Sequence, residues 1–228
     1  MSGDAVKGYG YFGKVPVRGD FVSDRLSRNF IEGFNEWLQA VLAVSQEQLL
    51  DDWLEAYLTA PVWHFALSRG VVGEHAMAGS LMPSVDQVGR RFPFLLACET
   101  ALSPVRLWAN RDWSEATGGH LLQILEDGQE LSDWVSALAQ LPLPSGAEPR
   151  PLQPRGEAGK RQLAWQSASD SRCEDLLHPL LRQQFPRYCL WWTSGSERVP
   201  GSLLVSSGLP QVSQFAAMLD GQFEVWGW

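Results

Sequence analysis

From Ser27 onward the apolar residues Phe30, Ile31, Phe34, Trp37, Leu38, Val41 and Leu42 recur at steps of three and four. That spacing puts them on one face of an amphipathic helix with Ser27 as its N-cap. A second stripe, Leu49, Leu50, Trp53, Leu54 and Tyr57, predicts another helix over 46–58, with Asp51, Asp52 and Glu55 on its solvated face and Pro61 as its stop. Elsewhere the period drops to two. Residues 9–15 alternate Tyr9, Tyr11 and Gly13 against Gly10, Phe12 and Lys14, a short strand ended by Pro16, and the segment 17–23 after it reads as a turn region. Residues 62–68 set Trp63, Phe65 and Leu67 against His64 and Ala66, a strand with its bulky side chains on one face. Residues 75–84 and 92–99 supply two more strands, and the short link between them suggests an antiparallel meander.

Residues 102–139 read as helical with a break over 126–130, where Gly128 falls. The stretch 141–162 carries Pro142, Pro144, Pro149, Pro151 and Pro154 among glycines and reads as a long exposed loop or linker without a regular element. Beyond it the pattern gives a strand near 161–167, a helix over 173–185 containing Pro179, strands at 188–194 and 201–207, and a helix over 211–221. This order predicts an α/β protein of the α+β type: a mixed, largely antiparallel sheet with helices on both faces, compatible by analogy with a longin-like or profilin-like α-β-α layering.

Composition narrows the function classes. The chain has 228 residues and a formal net charge of -8, with no Lys/Arg run, so a phosphate backbone meets mostly repulsion and nucleic acid is not expected as a partner. No apolar run approaches the roughly 20 residues of a membrane-spanning helix, and the N-terminal residues lack the basic start and apolar core of a signal peptide. The expectation is a cytoplasmic protein without membrane insertion. Cys98, Cys173 and Cys189 are widely spaced and without a C-x-x-C pair, which argues for buried reduced thiols over disulfides or zinc. The chain holds 11 Trp, which predicts a Trp-rich core with some rings left at the surface.

Candidate chemistry is sparse. Gly8, Gly10 and Gly13 spell G-x-G-x-x-G, but no hydrophobic strand precedes them and Pro16 forbids an immediate helix. Gly8, Gly13 and Lys14 spell a P-loop except that Val15 stands where a hydroxyl must hold magnesium. The strand reading is preferred, and no cofactor is expected. Arg18-Gly19-Asp20 reads as a tight turn. His64, His75, His120 and His178 have no metal-ligand spacing, so no metal is expected. Ser84, Asp86, Arg90 and Arg91 form the densest polar cluster between apolar strands. Such a cluster would serve a small-molecule or phosphoryl hydrolase with Ser84 as nucleophile and Asp86 and Arg90 beside it, although no nucleophile elbow is present.

The segments GYFGKVPVRGDF (10–21), WLEAYLTAPVWHFAL (53–67) and AGSLMPSVDQVGRRFPF (78–94) resemble the three signature blocks of the TagF (ImpM) family of type VI secretion-associated proteins, and LWWTSGS and SSGLP resemble its C-terminal part. The resemblance implies a stand-alone, non-enzymatic, cytoplasmic regulator. Such a protein represses assembly of the secretion system post-translationally, beside or against a threonine phosphorylation pathway, by engaging a forkhead-associated scaffold protein. It supplies no catalytic residues. It suggests one domain over 1–228: an N-terminal signature region (1–141), a Pro/Gly-rich loop (142–160) and a C-terminal αβ part (161–228) that either extends the same sheet or stands apart.

The polar positions within the blocks, Lys14, Arg18, Asp20, Ser84, Asp86 and Arg90, form either one ion-pair network or one recognition surface. The turn at 18–20 and the loop at 84–90 each adjoin a strand end and carry complementary charge. They are therefore expected to lie together at one end of the sheet.

Overall fold

The structure, a computed structural model, describes residues 8–146, 150–152, 164–166 and 174–228. Its centre is a seven-stranded sheet, antiparallel throughout, built from β1 (Gly10–Gly13), β2 (Val22–Asp24), β3 (Trp63–Leu67), β4 (Met77–Met82), β5 (Phe94–Glu99), β8 (Cys189–Thr193) and β9 (Ser202–Ser206) in the order β2-β1-β5-β4-β3-β8-β9. The strands β3, β4 and β5 form the expected meander. The C-terminal strands β8 and β9 continue the same sheet by pairing onto β3, with Phe65 opposite Trp191.

Helices cover both faces. On one, α1 (Arg28–Leu49), α2 (Trp53–Leu58) and α7 (Ala217–Asp220) bring Phe34, Trp37, Leu38, Tyr57 and Met218 against Phe12, Trp63, Phe65, Leu81, Leu95 and Trp191. On the other, α3 (Pro104–Ala109), α4 (Arg111–Gln123), α5 (Leu131–Ala137) and α6 (Glu174–Gln184) cover the alternate strand residues. Leu121 and Trp134 pack with Tyr11, Phe94 and Leu96, while Val105, Trp113 and Leu181 pack with Ala66, Leu190 and Trp192. Because both faces are covered, the central strands are buried along nearly their whole length and carry apolar residues on both sides.

The helix starting at Ser27 forms as its periodicity requires, with the Ser27 hydroxyl accepting from the Phe30 amide at 3.3 Å. The helix expected over 46–58 is divided. Its first residues extend α1 to Leu49, a 3-10 turn follows over Leu50–Asp52, and α2 begins at Trp53. The break lies at Leu50, whose φ of 50° is incompatible with a continuing helix. It is held by a buried relay in which the Trp53 indole donates to Ser45 Oγ (2.9 Å) and Ser45 donates to the Leu42 carbonyl (3.0 Å).

Other differences are local. The turn region 17–23 contains most of the edge strand β2, whose three residues are too few to show a period. Asn110 splits the long helical stretch by capping α4, its Oδ1 accepting from the Trp113 amide at 3.2 Å. Within the expected loop 141–162, β6 (Arg150–Leu152) pairs with β7 (Ala164–Gln166) in a separate two-stranded sheet. Pro151 fits there because a two-stranded ribbon leaves one side of each strand without a neighbour. The rest of 147–163 lies outside the described residues, as does Cys173. The last predicted helix resolves into a 3-10 turn (Val212–Gln214) and the short α7.

Trp37, Trp53, Trp63, Trp113, Trp134, Trp191 and Trp192 are buried, while Trp108, Trp226 and Trp228 are half-buried. Most buried indoles also tie distant segments through their N–H. Trp37 donates to the Pro210 carbonyl (2.9 Å), Trp63 to Met218 (3.0 Å) and Trp134 to His120 (2.7 Å). The Trp content therefore serves the core and pins the C-terminal segment to the sheet.

Candidate functional site

The N-terminal glycines are packing positions. A Cβ on Gly10 would stand 2.5 Å from the Asp24 carbonyl oxygen, and one on Gly13 would overlap the Pro93 carbonyl, so these glycines let β2 and the entry to β5 close onto β1. The chain then turns with Arg18 N–H donating to the Val15 carbonyl at 3.1 Å. This delivers Lys14 and the turn 18–20 to the sheet end where the loop joining β4 to β5 lies.

That loop is organised around Asp86. Its Oδ1 accepts from the Val88 amide (3.1 Å) and the Arg90 amide (2.8 Å), and its Oδ2 from Lys14 Nζ (2.9 Å) and Arg90 Nε (2.6 Å). Burial alone would push the Asp86 carboxyl pKa upward. The hydrogen bonds from Lys14, the Arg90 backbone and side chain, and the Val88 amide outweigh it and hold the group well below the usual carboxylate range. Two bonds to main-chain carbonyls of the turn join the segments: Gln87 N–H donates to the Arg18 carbonyl at 3.0 Å, and the Arg90 side chain donates through Nη2 to the Gly19 carbonyl. The turn and the loop thus lie together at one end of the sheet.

The candidate side chains divide. Lys14, Asp86 and Arg90 form one network. Asp20 is fully exposed and reaches Arg90 only at 3.9 Å. Arg18 contributes its backbone to the junction, while its guanidinium turns to the Val17 carbonyl (2.8 Å) and toward Glu130 (3.9 Å). Ser84 joins through its main chain: the Tyr57 hydroxyl donates to the Ser84 carbonyl (2.8 Å) and accepts from its amide (3.0 Å). The Ser84 hydroxyl is buried and has no hydrogen bond among the described residues, whereas a serine nucleophile needs a base within reach. His64 is engaged elsewhere, with Nδ1 2.8 Å from Ser80 Oγ, which in turn lies 2.9 Å from Thr117 Oγ1.

The site also contains residues outside the polar candidate set. Phe21 is 47% exposed, lies parallel to Phe12 at 5.7 Å, and meets Phe92 edge-on at 4.8 Å. Lys14 Nζ sits 5.1 Å from the centre of its ring. Val88 is 72% exposed at the tip of the loop. Neither Phe21 nor Val88 carries a charge or a hydroxyl group. The sequence signal for Phe21 is an aromatic residue directly beside the charged turn 18–20.

Among the described residues no cluster of His, Cys, Asp and Glu could hold a metal, and no helix is long and apolar enough to cross a membrane. Cys98 and Cys189 are buried free thiols, each pushed up to about 12 by that burial.

The sequence pattern of the family described as TagF N-terminal domain, type VI secretion system-associated, matches residues 10–141. The crystal structure of PA0076 from Pseudomonas aeruginosa PAO1 is similar to this chain, with 33% identity over 94% of each chain and a TM-score of 0.78. No curated protein matches. The matched residues hold β1 to β5, the helices α1 to α5 and every residue of the Asp86 network. This chain belongs to the TagF N-terminal domain family, which is associated with the type VI secretion system.

Proposed function

We propose that this protein is a post-translational repressor of type VI secretion that works in the cytoplasm by binding, without catalysis, and that its partner is a forkhead-associated scaffold component. The observation that carries the reading is the rigid surface at the Asp86 network. Lys14 and Asp86 are spent on each other beneath the surface, and what faces outward is Phe21, Val88 and the outer part of Arg90. Aromatic and arginine side chains held in fixed positions are the groups that dominate protein–protein contacts. Ser84 engages its surroundings through its main chain, the Tyr57 hydroxyl on its carbonyl and amide, which supports a structural part for it in a recognition surface over a part in hydrolysis.

The test is affinity capture with the whole chain as bait from cells carrying the secretion system. Wild-type protein is expected to recover a forkhead-associated protein. Phe21→Ala and Val88→Asp, each with near-normal thermal stability, are expected to lose it. Repeated failure of the wild type to recover such a protein overturns the reading.

A further inference from the structure

The stretch 29–63 contains no Lys or Arg but holds Glu32, Glu36, Glu47, Asp51, Asp52 and Glu55. Within it lies an apolar feature that the core does not use. Leu54 and Leu58 are one turn apart on α2 and are 40% and 53% exposed, and Leu50, just before the helix, is 74% exposed. Leu50 also has φ 50° and ψ -122°, a conformation that a bulky side chain adopts at a cost. The core gains almost nothing from this leucine, whose side chain is directed to solvent.

The charged residues within 47–58 are all acidic, and the cations that act on this stretch among the described residues are Arg198, beside Glu55 and Asp52, and Arg91, whose charge reaches Tyr57 on the buried side of α2. Glu47, Asp51, Asp52 and Glu55 are exposed, and Arg198 pairs with Glu55 at 2.6 Å. Glu47, Asp51 and Asp52 take part in no ion pair among the described residues.

We propose that Leu50, Leu54 and Leu58 form a docking ridge for a basic amphipathic segment of another protein, with apolar residues on one face flanked by Lys or Arg. The occupant follows from the rim. A second copy laid on the same ridge would set acid against acid, and an anionic lipid surface would be repelled. A basic segment instead gains both apolar contact and charge complementarity, the helix-on-face mode of recognition. This ridge is distinct from the Phe21 and Arg90 surface, so the two readings can fail independently.

The probe is a fluorescent amphipathic Leu/Lys peptide of about five helical turns, or about 18 residues, with a Leu/Glu peptide of the same pattern as control. Binding to the full chain is read by anisotropy at about 0.05 M and 0.3 M salt. The Leu/Lys peptide is expected to bind and the Leu/Glu peptide not to. The double variant Leu54→Ser with Leu58→Ser should fold normally, since neither side chain is buried, and weaken binding by at least about tenfold. Asp51→Asn with Asp52→Asn should weaken it and flatten its salt dependence, while Glu126→Gln with Asp127→Asn, remote from the ridge, should change nothing. Wild-type affinity in the leucine variant overturns the proposal. So does a wild-type dimer dissolved by the leucine substitutions, or ridge-dependent binding to phosphatidylglycerol vesicles.

Discussion

Tyr57→Phe removes one oxygen and nothing else, and that oxygen holds the start of the β4–β5 loop. Tyr57 is 1% exposed, so no water replaces the hydroxyl. Its two bonds reach the same residue: it donates to the Ser84 carbonyl at 2.8 Å and accepts from the Ser84 amide at 3.0 Å. The carbonyl keeps a second donor, the Phe92 amide at 3.1 Å, so it is not orphaned. The Ser84 amide has no other acceptor among the described residues. An orphaned buried N–H costs about 1–3 kcal/mol, and a lost hydrogen bond about 0.5–1.5 kcal/mol, which together give about 3 kcal/mol. In a chain of this size that lowers Tm by about 6–12 °C. Calorimetry and urea unfolding at neutral pH measure it. Tyr11→Phe is the control: its hydroxyl makes no hydrogen bond among the described residues, and the loss there should stay below about 0.5 kcal/mol. If Tyr57→Phe falls within that same margin of wild type, the loop does not depend on Tyr57 and the reasoning is refuted.

Burial lowers the His64 pKa to about 4, so between pH 6.5 and that value the unfolded imidazole binds a proton that the folded one refuses. Stability should fall by about 3 kcal/mol as the pH drops through this window, and His64→Gln should flatten that part of the curve in urea titrations. Asp86 acts lower on the scale: its folded pKa is depressed, so its stabilisation is complete above the ordinary carboxylate pKa of about 4 and is lost below it. Asp86→Asn should therefore lower Tm at pH 7 and make the acid limb shallower, and an unchanged acid limb would contradict the network. A Cβ on Gly79 would overlap the Leu96 carbonyl and stand 2.5 Å from Phe65 Cζ, whereas one on Gly119 meets open space on α4. Gly79→Ala should cost about 3 kcal/mol and Gly119→Ala should add about 0.5–1 kcal/mol. Equal effects in thermal melts would refute the packing argument.

Periodicity located what burial periodicity can encode. The α1 stripe buries side chains at helical spacing, and the β3–β5 meander and the C-terminal strands show as short apolar runs bounded by turn residues, so their positions were legible in order and nearly in extent. The divided second helix was not, because Leu49 and Leu50 fit the apolar stripe whether or not the chain turns between them. What decides is Leu50 φ and the Trp53–Ser45–Leu42 relay, neither of which leaves a mark on hydropathy. The edge strand β2 and the Pro-containing β6 escaped because three residues show no period and their pairing is set by partners distant in sequence. The same limit divides the site. Charge complementarity pointed to the turn 18–20 and the loop 84–90 lying together, but the bonds that join them end on main chain of the turn, Gln87 N–H on the Arg18 carbonyl and the Arg90 guanidinium on the Gly19 carbonyl, so the side chains of Arg18 and Asp20 say little about the junction.

The arrangement at Asp86 divides the residues of the turn and the loop between two roles. Lys14 is 7% exposed and Asp86 2%, so a partner cannot reach the atoms that bind them to each other. A substitution at either removes a buried charge from its counterion and acts on every function of the protein through the loop. Val88 supports that network by its backbone amide alone, and Phe21 by a half-exposed ring packed on Phe12 and Phe92 with Lys14 against it. On the proposed reading, the Val88 loss appears in partner affinity with stability preserved, the Phe21 loss in affinity with a small stability cost from its contacts with Phe12, Phe92 and Lys14, and those of Lys14 and Asp86 in both. A double-mutant cycle between Phe21→Ala and Lys14→Met measures the link. Lys14 touches the Phe21 ring as a cation over a π face, so a coupling of about 0.5–1 kcal/mol in stability is expected at this half-exposed contact. Strict additivity in stability would mean that the ring rests on Phe12 and Phe92 alone, and that the charge network supports the binding surface only through the backbone.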